Sequence, residues 1–239
     1  VHSRYAQGKT IEAYRLGRQA DKVRVIPHGN YIGNYPCDVS REQARAEIGI
    51  DGEKKVFLFL GQIRPYTGLP ELVSAFERTT TGHETLILAG KPLDDRIKAE
   101  LEQLVAGRKD ILCHPERIPD EKIQLYMNAA DAVVFPFRDI FTSGSLLLAM
   151  SFGKPIVVPD LESLKDLTEY GGAITYDHGR SESLESALRR AASTDLTHLG
   201  ARNLAAAQKL SWDTIAEKTA ELYAETLRQH RESTFSCQD

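Results

Sequence analysis

Cysteine is scarce in this chain. Three are spread over 239 residues, at positions 37, 113 and 237, and no two form a C-x-x-C pair. A zinc site or a disulfide framework is therefore not expected to organise the fold, and a reducing, cytoplasmic compartment is. Long apolar runs are lacking too. None reaches the length of a membrane span and no signal-peptide pattern is visible, so no transmembrane segment is expected within this sequence. Positive charge is not in excess: the formal net charge is −4, which gives no reason to expect a nucleic-acid partner. Internal repeats and low-complexity linkers are missing as well. What remains is ordinary globular composition, 41% apolar and 27% charged, in a length that suits one large domain with appendages. The chain opens on Val1 rather than Met, and residues 1–20 read as the remnant of a preceding domain or linker. The expectation is that part of the active site lies outside this sequence.

From residue 23 onward, short β-branched runs alternate with helical patterns. Strands are expected at Val23–Ile26, Lys55–Leu60, Thr85–Ala89, Ile111–Cys113, Ala132–Phe135, Pro155–Val158 and Ala173–Tyr176. Between them lie helical segments. One opens at Ser40 with a capping box, and others cover Leu69–Arg78, Asp94–Ala106, Asp120–Ala129 and a weaker stretch near Ser163. Everything after Ser181 reads as amphipathic helix, ending in a segment from about Trp212 to His230. A disordered tail is expected from Glu232. Regular β–α alternation forces parallel strands, and runs apolar on both faces require helices on both sides. The expected fold is α/β: a Rossmann-like, doubly wound parallel sheet over residues 21–195, with C-terminal helices and a tail over 196–239.

The stretch from Asp139 to Asp160, D-I-F-T-S-G-S-L-L-L-A-M-S-F-G-K-P-I-V-V-P-D, carries the most chemistry. Thr142-Ser143-Gly144-Ser145 sits where a helix would begin. Leu146 to Met150 has no polar face, so that helix is expected to be buried. Gly153 stops it and Pro155 prevents its resumption. The first amides of a helix have no internal partners, and its dipole makes that end electropositive. A glycine among hydroxyls at such an end is the pattern of a phosphate cradle. The same residues also serve as plain helix caps in many proteins. Here the preceding strand would deliver them to the carboxyl end of a parallel sheet, where open α/β folds bind ligands. The loops after the other strands add Arg64, Lys91, Arg117 and Arg138 at equivalent positions. Asp131, at the amino end of its strand, reads as a structural cap. Trp212 and Tyr223 read as packing residues.

These motifs together resemble a known family. The series I-P-H-G, F-L-G-Q-I-R-P-Y-T-G, L-I-L-A-G, I-P-D-E-K-I-Q-L-Y-M-N-A-A-D-A-V-V-F-P and S-G-S-L-L-L-A-M-S-F-G-K-P-I-V is similar to the C-terminal, donor-binding domain of bacterial GT-B fold group 1 glycosyltransferases, over about residues 20–195. The resemblance implies one lobe of a two-lobed enzyme, whose preceding lobe binds the acceptor. The enzyme would transfer a sugar from a nucleoside diphosphate sugar to a glycan or lipid-linked acceptor. Any contact with the inner face of the membrane would be made by the missing lobe. No cofactor is implied. No metal is implied either, because positive groups stand in for it and no D-x-D motif is present.

Residue by residue, the resemblance places the donor diphosphate at Gly61, Arg64 and Thr67, beside the cradle read from the residues at Thr142, Ser143, Gly144 and Ser145. The nucleobase falls to the loop at Arg117 and Ile118, and cleft contacts to His28 and Lys91. Two departures stand out. The family's phosphate-loop lysine is Thr67 here, with Arg64 as the expected substitute. The family's paired acids, E-x7-E, fall at Ile140 and Leu148, with Asp139 as the substitute candidate for catalysis beside Arg64. Two rival functions remain open: a nucleotide-sugar epimerase of the same fold, and a non-catalytic nucleotide-sugar-binding subunit.

Overall fold

The computed structural model describes residues 1–235, apart from the side chains of Ser181 and residues 230–235; Cys237 lies outside the described residues. Six strands form one sheet: β1 (Lys55–Leu60), β2 (Glu84–Ala89), β3 (Ile111–His114), β4 (Ala132–Val134), β5 (Ile156–Pro159) and β6 (Ala173–Tyr176). Their order is β3-β2-β1-β4-β5-β6, and every pairing is parallel. Ten α-helices accompany them among the described residues: α1 (Arg4–Ala13), α2 (Arg41–Glu47), α3 (Leu69–Thr79), α4 (Asp95–Leu104), α5 (Ile123–Ala129), α6 (Gly144–Ser151), α7 (Lys165–Thr168), α8 (Ser181–Ser193), α9 (Thr197–Gln208) and α10 (Trp212–Phe235).

Strand periodicity divides the core in two. Val56, Leu58 and Leu60 of β1 point to the side covered by α5 and α6. Phe57 and Phe59 point to the side covered by α3, α4 and α8. Both sides are dry, which explains strand sequences without polar alternation. Helix α6 is buried from Leu146 to Ser151, between the sheet and α9. The crossing is close enough that a Cβ on Gly200 would stand 2.2 Å from the Gly153 carbonyl oxygen.

One expected strand is not in the sheet. Residues 23–26 run as irregular chain, with the Ile26 amide donating to the Val1 carbonyl at 2.9 Å and the Val1 amine to the Arg24 carbonyl at 3.0 Å. The segment leads into Gly29, which packs so tightly on Trp212 that a Cβ would lie 2.4 Å from the indole. Docking against the start of α10 overrides the β propensity of Val23–Ile26. The final helix continues to Phe235, past its expected end near His230 and into the stretch expected to be disordered. The rest of that tail lies outside the described residues.

The amino edge of the sheet is held by charge. Asp131 accepts from Arg45 and Arg41, each at 2.8 Å, and from the Val56 amide at 2.7 Å. It is the structural anchor expected from its place in the sequence. Close by, Lys154 donates to the Ala130 carbonyl at 3.2 Å. Burial pulls its pKa down to about 8, against the opposing pull of Asp131. Between that value and the ordinary lysine value near 10.5, the unfolded chain holds more protons than the native one. Stability therefore rises with pH through this window. Lys154→Met should accordingly stabilise the protein at pH 7 by about 1–2 kcal/mol, part of the gain being offset by the lost hydrogen bond. Urea midpoints should show that advantage shrinking at pH 10. An advantage that stays constant with pH would contradict this reading.

Candidate functional site

In an open parallel sheet, ligands bind outside the carboxyl ends of the strands where the strand order reverses. Here the reversal lies at β1, between β2 and β4. Two loops meet there. The first leaves β1 at Gly61, whose amide donates to the Ala89 carbonyl at 3.1 Å. Its own carbonyl oxygen would be 1.7 Å from a Cβ on Gly90, where φ is +141°. Only glycine fits at position 90. The loop then makes one tight turn over Pro65–Thr67 and reaches Gly68, at φ +68°. A side chain on Gly68 would strike the Pro136 carbonyl oxygen at 1.8 Å. The loop after β1 is thus pinned against the loop after β4.

That second loop ends in α6. The Ser143 hydroxyl accepts from the Leu146 amide at 3.1 Å and caps the helix. The amides of Gly144 and Ser145 have no acceptor among the described residues. The Ser145 hydroxyl oxygen lies 3.0 Å from the point where a Gly61 Cβ would stand, so the two loops close on one another around the helix mouth. The space left is a depression of 330 Å³. Gly61, Thr67 and Thr142–Ser145 line it together, and so do Ile140 and Leu148 at the positions of the family's paired acids. Among the described residues, none that lines it is lysine, arginine, aspartate, glutamate or histidine.

Several expected residues lie elsewhere. Arg64 does not face the cradle: its guanidinium donates to the Gln62 side-chain oxygen at 3.0 and 2.7 Å, and it lines a separate depression beside Arg96 and Glu100. The cause is local. Arg64 is extended at the start of the tight turn, so the turn carries Thr67 back to the cradle and leaves Arg64 outside. Thr67 is no cation, and its hydroxyl donates to the Arg64 carbonyl at 2.7 Å. Asp139 is exposed and not part of the wall; a one-residue offset in the loop turns Ile140 inward instead. Lys91 is exposed, and its side chain makes no ion pair among the described residues. Ile118 is buried in the core beside α5, while Arg117 is exposed. The main-chain groups of both make no hydrogen bond among the described residues, which leaves that loop's backbone free for a ligand. His28 lies on a neighbouring depression of 790 Å³, which Thr142, Ser143 and Gly144 share.

Sequence reasoning missed Tyr31 and Tyr35, which close one side of the cradle. The Tyr31 hydroxyl oxygen is 3.0 Å from where a Gly144 Cβ would stand, so it hangs over the helix mouth. Burial, then the neighbouring Tyr35, raises its pKa and keeps it a protonated donor. Its backbone is fixed from behind: the Tyr31 amide donates to the Ser151 hydroxyl at 3.0 Å, and the Asn30 carbonyl accepts from the Trp212 indole at 2.9 Å. Two tyrosines four apart in non-helical chain after Pro27-His28-Gly29 were the available signal. No periodicity marks them.

Known proteins are similar to this chain in sequence and in fold. The family model described as "Glycosyl transferases group 1" matches residues 54–194. An alpha-maltose-1-phosphate synthase from Mycolicibacterium smegmatis is 25% identical over 221 residues, covering 85% of this chain and 57% of its own. A D-inositol 3-phosphate glycosyltransferase from Streptomyces griseus is 27% identical over 243 residues, covering 95% and 51%. This chain thus spans little more than half the length of these relatives. Among solved structures, HepE from Anabaena in complex with UDP superposes with a TM-score of 0.79 at 21% identity, over 94% of this chain and 63% of that one.

Proposed function

The chain belongs to the group 1 glycosyl transferases, and on that premise we propose that it is the donor-binding lobe of a nucleotide-sugar-dependent enzyme. The whole enzyme would move a sugar from a nucleoside diphosphate onto a glycan or lipid-linked acceptor, with a preceding lobe that binds the acceptor. The carrying observation is the pair of unused amides at the mouth of α6, framed by Gly61 and the hydroxyls of Ser145 and Tyr31. Departure of the sugar leaves negative charge on the diphosphate. Preformed donors aimed at that charge lower the barrier without reorganising. Free main chain at Arg117 and Ile118 supports a nucleobase there, and HepE, with the same fold, has been seen with UDP.

The cradle is neutral, so its stabilisation comes from dipoles. A helix terminus contributes about 0.3–1 kcal/mol, up to roughly 2 when partly buried. That is too little to balance a diphosphate alone, and the remaining positive charge would come from the acceptor lobe. Arg64 and Asp139 have no role in this reading, because neither side chain lines the cradle. The same neutrality favours a second reading, a nucleotide-sugar-binding subunit without catalysis. Sugar release from the donor by the full-length protein separates the two.

The test is a thermal-shift screen of this chain against UDP, GDP, ADP and their sugars, since a ligand that binds only the native state raises its melting temperature. One nucleotide is expected to stand out. No shift with any of the three would overturn the proposal. Tyr31→Phe should then weaken binding about fivefold, near 1 kcal/mol for one lost neutral hydrogen bond, with the melting temperature of the free protein unchanged.

A further inference from the structure

The carboxyl edge carries another groove, on the side of the sheet opposite α6. It measures 730 Å³, lies between α3 and α8, and shares Phe137 as a wall with the cradle. The donor reading makes no use of it. At its floor is Tyr176, the last residue of β6 and only 6% exposed. The tyrosine hydroxyl has no hydrogen-bond partner among the described residues, yet it is not sealed from solvent. The groove therefore offers a hydroxyl that no group of the described residues engages, with a bond still to make. Burial first, and Glu71 second, raise the phenol's pKa and hold it protonated.

Part of the charge around it is ordered beforehand. Arg138 pairs with Glu71, using one carboxylate oxygen and leaving the other free. Arg78 donates to the Ser74 hydroxyl and to Glu185, each at 2.5 Å. Arg180 makes no ion pair among the described residues. The groove's three arginines, at 78, 138 and 180, face three glutamates, at 71, 182 and 185. An anion would meet the carboxylates, and a cation would meet the guanidiniums. A neutral ligand rich in hydroxyls meets donors and acceptors together, with Phe137 and Pro136 as the apolar wall for its C–H faces.

We propose that this groove is a saccharide-binding site, holding a short neutral oligosaccharide with the Tyr176 hydroxyl as its buried hydrogen-bonding partner. The site stands independently of nucleotide binding in the cradle. The test is an NMR titration of the isotope-labelled chain with maltotetraose, with mannotetraose and with sodium phosphate, followed by UDP, GDP and ADP as separate arms. One of the saccharides should shift the amides of Tyr176 to Arg180 and of the first half of α3. Tyr176→Phe should weaken that binding about tenfold, the ratio that 1.4 kcal/mol gives. Arg180→Ala, an exposed change that leaves the fold intact, should weaken it as well. Nucleotide binding should be the same in both variants. The proposal is overturned if neither saccharide shifts these amides, if phosphate takes the groove instead, or if Tyr176→Phe binds as the parent does. Loss of every nucleotide response would count against the donor lobe and leave the groove's result standing.

Discussion

Replacing Asp131 by alanine is expected to destabilise the protein by roughly 3–5 kcal/mol, the usual cost of removing one partner of a buried ion pair. Arg45 is the reason. Its side chain is 2% exposed, and its other donors are committed to the carbonyls of Ala129, Gly52 and Lys54 at 3.1, 2.6 and 2.8 Å. Without Asp131 the guanidinium keeps its charge and loses its counter-ion where water cannot replace it. The Val56 amide, at the start of β1, loses its acceptor in the same step. Arg41 reaches the same carboxylate from a side chain that is 45% exposed, so Arg41→Ala should cost below about 1 kcal/mol. Urea unfolding of the two variants side by side measures the difference. A loss below about 1 kcal/mol for Asp131→Ala would contradict the anchor. The folded fraction should still bind nucleotide, since Asp131 lies at the opposite edge of the sheet from the cradle.

Gly61→Val should remove nucleotide binding while leaving the protein folded. Gly61 is not among the residues at positive φ, so its backbone admits a side chain, and it directly follows β1. The new Cβ would lie 3.0 Å from the Ser145 hydroxyl oxygen, which can rotate away, and the branch would then fill the helix mouth. Affinity should fall at least about tenfold, or 1.4 kcal/mol. Ser145→Val enters the same space from the other wall and should act alike. Gly90→Ala makes the useful contrast. Its Cβ would meet a main-chain oxygen at 1.7 Å in a backbone conformation only glycine adopts readily, so that variant should lose stability rather than affinity alone. Calorimetry with the preferred nucleotide reads the first effect and thermal melting the second. A Gly61→Val protein that binds as tightly as its parent would remove the cradle from the site.

How much of this was legible beforehand follows from the range of each interaction. Local pattern fixed the elements. The apolar runs gave β1 to β6, the Ser40 box gave α2, and Gly153 with Pro155 gave the end of α6, because periodicity, caps and breakers act within a few residues. It also fixed the chemistry of the helix mouth, since Ser143, Gly144 and Ser145 are consecutive and their amides are free in any helix that starts there. Side-chain direction was another matter. Arg64 lies within three residues of Gly61 and still points elsewhere, because one tight turn rotates it out. Asp139 gives way to Ile140 for the same kind of reason. Tyr31 reaches α6 only because Trp212, far along the chain, clamps Gly29 and Asn30 in place. The groove at Tyr176 needs α3 and α8 side by side, more than a hundred residues apart in sequence. The sequence by itself determined the six strands of the sheet, the helices between them and the donors at the mouth of α6, but not the irregular course of residues 23–26, helix α1 or the full length of α10. Tertiary packing alone decided which side chains stand around that mouth, because a side chain's direction depends on contacts that no short window contains.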